Sequence, residues 1–422
     1  MMMGLSDMSR RDFMRAAGAA AAAFSVGLAD TRSDLVAQTA GGSTDLLRVG
    51  MVGPGVQGRN VMTNCARVPG VKFTAVCDIF PDNLTKGLEI AGEGAKGFAD
   101  YREMLEKADI DAVMIATPLN WHCEMTLAAL DAGKHVFCEK MMSYSIEQGR
   151  QMVRKQRETG LVLQIGHQRR YNPTYLHALN LLEKEGVLGR ITMIRALWHR
   201  NGDWRRPVPD PKYERLMNWR LYRETSQGLM AELGSHQVDV ANWVLKALPT
   251  AVVGMGTRGY WTDGRDILDD VEVLYEYPNG VKLVYTSITQ NARDDYYEQI
   301  MGDGGTLVLT HENQGLLFRE ARAEKLDWEQ YAHKDDKGGV VLDSQATKGK
   351  GKDKDKGSEA LEGAGENPYY LEMADWVRCI REGDTPHCNG LVAFESDVAC
   401  LMANASIAQR RFINLPPEIY AV

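Results

Sequence analysis

The chain predicts a two-part α/β protein: a parallel sheet with crossover helices over residues 45–168, then a large, mainly antiparallel open sheet with helices over 169–422. Three observations carry this. Between Leu46 and Gln168 short apolar runs alternate with helical patterns, the signature of repeated βαβ units. After Gly189 longer runs of alternating character take over, as expected of strands with one buried face. A length of 422 residues also favours two domains over one.

Residues 1–29 stand outside both parts. Ser9-Arg10-Arg11-Asp12-Phe13-Met14-Arg15 precedes an uncharged, alanine-rich stretch, Ala16–Ala29, with a small-residue cleavage option at Gly27-Leu28-Ala29. Paired arginines with Phe two positions on resemble a twin-arginine export signal. The uncharged stretch is 14 residues long, short of the roughly 20 that span a bilayer. The expected location is therefore periplasmic or exported, the expected partner is the twin-arginine machinery, and the mature chain is expected to have no stable membrane span. Residues 30–44 read as a polar linker.

In the first part the expected strands are Leu46–Val52, Val71–Cys77, Ala112–Ala116, His135–Cys138 and Leu161–Ile165. The last intervening helix opens on Ser145 and Gln148 in capping-box spacing. In the second part the expected strands are Ile191–Trp198, Ala251–Trp261, Val271–Tyr277 and Val281–Ile288. Pro278-Asn279-Gly280 joins the last two as a hairpin, and a second hairpin is expected at Asp303-Gly304-Gly305. Helices are expected at Gly228–Leu248, Pro368–Glu382 and Leu391–Arg411. Residues 334–367 form a solvated insertion, since the mixed-charge run KGKGKDKDKG at 348–357 has nothing apolar to bury.

Charge and cysteine usage exclude several classes. With 49 Lys+Arg against 57 Asp+Glu the net charge is −8, and −9 (46 − 55) once residues 1–29 are removed, so no nucleic-acid partner is expected. Seven cysteines without a CxxC pair indicate neither a zinc ribbon nor a disulfide framework. No compact His/Cys/Asp set has metal-ligand spacing, so no metal is expected.

One motif carries chemistry in its own right. Gly53-Pro54-Gly55-Val56-Gln57-Gly58 follows a strand and opens a helix, and Asp78 follows at the end of the next strand, 20 residues past Gly58. This is the context of a Rossmann dinucleotide site: glycines for the tight turn and for backbone approach to a pyrophosphate, an acid for the adenosine ribose. A carboxylate at Asp78 repels a 2′-phosphate, and Ile79-Phe80-Pro81 supplies no arginine for one, so NAD is favoured over NADP.

Further motifs carry a resemblance. Thr117-Pro118-Leu119-Asn120-Trp121-His122, then Ala132-Gly133-Lys134-His135-Val136-Phe137-Cys138-Glu139-Lys140, Gly166–Pro173 and Gly228–Asp239 resemble the glucose–fructose oxidoreductase/inositol dehydrogenase/MocA family over 46–415. The resemblance implies a Rossmann domain, a C-terminal α/β domain whose open sheet carries the substrate site, a nicotinamide cofactor, and a small carbohydrate or polyol substrate. It also implies a dimer or tetramer.

By that resemblance Lys140 matches the family's catalytic lysine and His236 its acid/base position, with Glu232 or Asp239 orienting the pair. The family's Glu-Lys-Pro is Glu139-Lys140-Met141 here, and its usual Asp is Glu232. Gly234 is expected to permit close approach to the cofactor. The cofactor set is Gly53, Gly55, Val56, Gln57, Gly58, Asp78, Thr117, Pro118, Asn120, His122, Glu139, Lys140 and Gln168. The expected substrate set is Arg169, Tyr171, Trp198, Arg200, Trp204 and Arg205, aromatic faces and multidentate donors being suited to a polyhydroxylated ring. The reading is hydride transfer between nicotinamide and a sugar, polyol or glycoside, with a tightly bound, recycled cofactor because an exported enzyme has no established supply of free NAD. Two alternatives stand beside it: a redox-neutral glycoside hydrolase working by oxidation, elimination and re-reduction, and a non-catalytic sugar-binding or sensing protein.

Overall fold

A computed structural model describes residues 46–323, 334, 339–342 and 367–422. The leader, the linker at 30–44 and the charged run at 348–357 lie outside the described residues. The first sheet has six parallel strands in the order β3-β2-β1-β4-β5-β6. They are β1 (Leu47–Val52), β2 (Val71–Cys77), β3 (Lys96–Phe98), β4 (Ala112–Ile115), β5 (His135–Glu139) and β6 (Leu163–Gly166). Helices α1 (Val56–Ala66), α2 (Pro81–Ala91), α3 (Tyr101–Lys107), α4 (His122–Asp131) and α5 (Ile146–Thr159) cross between them. Strand order reverses between β1 and β4, and at such a switch point a crevice opens at the strand C-termini.

The five strands expected here are present, and β3 joins them as a three-residue edge strand whose exposed Lys-Gly start gives no periodic signal. Helix α5 is capped as expected at one end: the Ser145 side chain accepts from the Gln148 amide, while the Gln148 side chain accepts from Tyr144 rather than from Ser145.

Helix α6 (Pro173–Lys184) leads to the second sheet, nine strands in the order β14-β13-β12-β11-β7-β10-β9-β8-β15. These are β7 (Ile191–His199), β8 (Ala251–Thr257), β9 (Asp270–Glu276), β10 (Lys282–Ile288), β11 (Tyr296–Gly302), β12 (Gly305–Thr310), β13 (Gln314–Arg319), β14 (Val340–Leu342) and β15 (Ile413–Asn414). Every pairing is antiparallel except β7 with β10. Both hairpins form; at the first, Asn279 and Gly280 adopt φ of 65° and 78°, the conformation that turns the chain between Glu276 and Lys282.

Three expectations are corrected. Strand β8 stops at Thr257 rather than Trp261, because the amides of Gly259, Tyr260 and Trp261 turn onto the Asp269 carboxylate instead of continuing the ladder. The segment expected to be one helix over 228–248 begins as a π-helical turn, Met230–Gly234, before α8 (Ser235–Leu245); a short α7 (Glu214–Met217) precedes it. Within the 334–367 segment, Val340–Leu342 is a strand paired with β13, and Val340 is buried, so part of it belongs to the sheet.

The last helices tie the halves together. Helix α9 (Pro368–Glu382) crosses back to the first sheet, where Trp376 Nε1 donates to the Val136 carbonyl and its ring meets Phe137 edge-on. Helix α10 (Gly390–Gln409) packs on α5, α8 and β8. It is the one described helix long and apolar enough to cross a membrane, yet it buries Ser396 and Asp397 in hydrogen bonds to Asp239 and Ser143. That makes it a core helix.

Candidate active site

At the C-terminal ends of β1, β4 and β5 a cleft of about 600 Å³ opens between the sheets. Its floor is the glycine turn. Gly53 adopts φ of 81°, and a Cβ there would lie 2.7 Å from the Ala116 carbonyl; a Cβ on Gly58 would collide with the Gly53 carbonyl. These two glycines are required by the turn itself. Gly55 differs: a Cβ there would meet no atom within 4 Å, so the space beside it belongs to the cleft. A bare backbone facing open space at the start of α1, among unused amides, fits a dinucleotide pyrophosphate. Asp78 lies beyond the cleft wall at the end of β2, accepting from the Phe80 amide at 2.7 Å, with its carboxyl pushed up by burial.

The opposite wall carries the ionisable side chains. Lys140 Nζ donates to the main-chain carbonyls of Glu232 (2.6 Å) and Ala231 (3.4 Å). Burial lowers its pKa, against the pull of Glu232 and Glu139. The Lys140–Met141 peptide bond is cis. His236 projects from the first turn of α8 with its ring 5.6 Å from that of Trp198, and its buried Nδ1 has no partner among the described residues. Burial, with Lys140 and Arg169 as neighbouring cations, drives its pKa well below 6.5, so the ring is neutral at pH 7. His167 beside it, 6.0 Å away ring to ring, is pushed down to about 4 by burial.

Two carboxylates line this wall, and both are engaged. Glu139 accepts from Gln57 Nε2 at 2.7 Å and from the Lys140 amide at 3.1 Å; burial raises its pKa. Glu232 accepts from Arg220 Nε at 2.8 Å and from Ser226 Oγ at 3.2 Å. His122 is almost wholly buried, its ring between the carbonyls of Met141 (2.8 Å) and Thr117 (2.9 Å), so it fastens the β4 and β5 loops together.

The cleft gathers Gly55, Val56, Gln57, Gly58, Thr117, His122, Glu139, Lys140, Gln168, Trp198, Arg200, Trp204, Arg205, Glu232 and His236 from the expected sets. It does not gather Gly53 or Asp78, nor Pro118 or Asn120, which lie in the turn leading to α4, nor Arg169, Tyr171 or Asp239. Arg169 is buried in ion pairs with Glu298 and Glu312. Tyr171 is fully buried, its hydroxyl accepting from the Cys388 amide. Asp239 is held behind the wall by two-pronged bonds from Arg170 and by Ser396. Gly234 faces Tyr285 and Met230, so it serves helix–sheet packing rather than cofactor approach. Sequence reasoning missed Tyr369, at the start of α9, and Asn218, which brackets Arg206 through both its amide groups; neither stands in a periodic pattern or motif.

The segment 200–227 crosses from the second sheet over the first. Phe80, two residues past Asp78, meets Tyr213 edge-on at 5.6 Å, Tyr144 Oη donates to the Arg223 carbonyl, and Gln227 Nε2 donates to the Tyr144 carbonyl.

Comparison with known proteins gives the lineage. Residues 47–167 match the family model described as oxidoreductase family, NAD-binding Rossmann fold, and residues 176–308 match the GFO/IDH/MocA C-terminal domain. The uncharacterized oxidoreductase YrbE of Bacillus subtilis is 29% identical over 213 residues, half of this chain, and the chain spans only 58% of that relative's length. The scyllo-inositol 2-dehydrogenase (NAD(+)) of the same organism is 25% identical over 78% of this chain and 83% of its own. A levoglucosan dehydrogenase structure, in complex with NADH and levoglucosan, superposes with a TM-score of 0.70 at 18% identity, covering 88% of this chain and all of that one, which is a likeness of fold. Glycine cradle, two-sheet architecture and both family matches agree: this chain belongs to the GFO/IDH/MocA family of NAD-binding oxidoreductases.

Proposed function

We propose that this protein is an exported, NAD-dependent oxidoreductase acting on a hydroxyl or carbonyl of a sugar, polyol or glycoside, and that it holds its cofactor throughout the catalytic cycle. The observation that carries the reading is the meeting of Lys140 and a neutral, unpartnered His236 in one cleft with the glycine cradle. In the oxidising direction neutral His236 accepts the hydroxyl proton as the carbonyl forms. The Lys140 ammonium, oriented by the Glu232 carbonyl, donates to the reacting oxygen and stabilises its developing negative charge. When bound, NAD supplies the two-electron acceptor for the carbinol hydride. Gly55 and the amides opening α1 hold its pyrophosphate, and Asp78 takes the ribose hydroxyls, which favours NAD over NADP.

Retention of the cofactor is supported by the 200–227 segment, which contacts Phe80 beside Asp78 at the adenosine end and Tyr144 beyond Lys140. A second sugar carbonyl then serves as the acceptor that restores the oxidised cofactor. Export is supported by the Arg10-Arg11 signal and by the cysteines: all seven are free and buried, as suits a chain that folds before it leaves the cytoplasm. A dimer or tetramer is supported by the open face of the second sheet, where Met255 and Leu274 are exposed. Native mass spectrometry of the purified protein tests the reading, followed by absorbance in the reduced-nicotinamide band on adding sugars and polyols. NAD mass on the protein and reduction by a sugar are expected. A protein that purifies free of cofactor and forms no NADH from added NAD with any sugar or polyol overturns it.

A further inference from the structure

We propose that the substrate is an anionic sugar, and that Arg200 and Arg220 hold its carboxylate or phosphate opposite His236. This rests on the carbohydrate reading above and narrows its substrate class. Three cations line the substrate end of the cleft, Lys140, Arg200 and Arg220, against two carboxylates, Glu139 and Glu232. Both carboxylates already have partners: Glu139 takes Gln57 and the Lys140 amide, and Glu232 takes Arg220 and Ser226. Arg205, at the rim, is neutralised by Asp263 and Glu214. Arg200 is left over. Among the described residues it has no ion pair, and its Nε is buried without a hydrogen-bond partner.

The leftover guanidinium is positioned rather than loose. It lies 4.8 Å over the ring of Trp204, and the Arg220 guanidinium lies 4.3 Å over that of Trp219. Trp204 sits at φ of 60°, a conformation rare for a bulky residue. Burial and the nearby Arg220 charge both disfavour the charged form of Arg200, while Asp295 and Glu232, beyond ion-pair distance, oppose them only in part. A partly buried guanidinium with no counterion, held on an aromatic platform beside the Arg220–Glu232 pair, is a site for an oxyanion, which supplies the missing charge and offers acceptors to a planar donor fork. The cofactor does not meet this need, because its pyrophosphate belongs at the glycine turn at the other end. Arg59 stands at that end on the Pro54 carbonyl, while Arg206, also without an ion pair among the described residues, is repelled by both Arg220 and Arg59.

The test is calorimetric titration of the NAD-loaded protein with glucuronate, galacturonate, glucose 6-phosphate and galactose 6-phosphate, each against its neutral parent hexose. At least one anionic sugar is expected to bind tenfold or more tighter than its parent, with the preference shrinking as salt rises. Tight uronates identify a carboxylate, and tight phosphates a phosphoryl group. Arg200→Gln is expected to abolish the preference and Arg200→Lys to keep part of it. Neutral hexoses binding as well as every anionic sugar, or a preference that survives Arg200→Gln, overturns the proposal. NADH formation is read separately: oxidation confined to neutral sugars sinks the anion site and leaves the dehydrogenase reading standing. Tight anion binding with no NADH from any sugar does the reverse.

Discussion

The Lys140 ammonium donates to the main-chain carbonyl of Glu232 at 2.6 Å, joining the end of β5 to the π-helical turn that precedes α8. A backbone carbonyl orients the lysine without neutralising it, whereas the Glu232 carboxylate is spent on Arg220. In the proposed reaction Lys140 therefore brings an intact charge to the reacting oxygen. Lys140→Met is expected to lower turnover by about 10²–10³-fold, the usual cost of one such donor. NAD affinity by calorimetry should change little, since the glycine turn stays intact. Wild-type turnover in this variant sinks the assignment.

His236 is expected to set the acid limb of the pH profile. A base works only when deprotonated, and burial with its cationic neighbours holds this imidazole well below 6.5. The rate of oxidation should then be flat from pH 8 down through 6.5 and fall only in more acidic solution. His236→Asn should cost about 10²–10⁴-fold, the range for a positioned acid/base group. Lys140→Met removes one of the charges that depress the imidazole, so the residual activity of that variant should show its limb shifted toward neutrality. An acid limb at or above 6.5 in the wild type contradicts the arrangement.

Asp239 belongs to stability rather than to the reacting centre. Its carboxylate and the Arg170 guanidinium form a buried pair, with side chains 1% and 10% exposed. Removing one partner strands the other charge, so Asp239→Asn is expected to destabilise the fold by about 3–5 kcal/mol. Denaturant unfolding measures this directly. An unchanged midpoint means the pair contributes nothing.

Asp397 makes stability depend on pH. Burial pushes its carboxyl up to about 8, although the Ser143 amide and hydroxyl both donate to it. With the folded pKa above the unfolded value near 4, the contribution is full below pH 4 and is lost as pH rises toward 8. Asp397→Asn does not titrate, so its melting temperature should gain on the wild type steadily between pH 5 and 8 and then level off. A difference constant across that range refutes the raised pKa.

Much of the site could be read in the chain because it is local. Gly53–Gly58 needs only its own turn and the following helix, and Lys140 follows directly on a strand whose end opens at the switch point. Spacing of i, i+4 and i+7 puts Glu232, His236 and Asp239 on one face of an α-helix, and Glu232 and His236 do meet in the cleft even though the turn at Met230–Gly234 is π-helical, whereas Asp239 does not reach it. Asp239 was then drawn behind the wall by Arg170 and Ser396, residues from two other elements. Tyr369 reaches the cleft because α9 returns to the first sheet, a path set by burial of Trp376 against Phe137.

The sequence by itself determined the fold class and the dinucleotide turn, because periodicity and a strand–turn–helix motif are properties of neighbouring residues. Only the tertiary structure decided which charges are spent. Arg169, Arg170, Arg200, Arg205 and Arg220 look alike in the chain, yet all but Arg200 are paired with acids, from positions as near as Glu214 and as distant as Glu312. Pairing over such separations follows from how two sheets and their bridging helices pack, and burial then fixes which guanidinium is left facing the cleft.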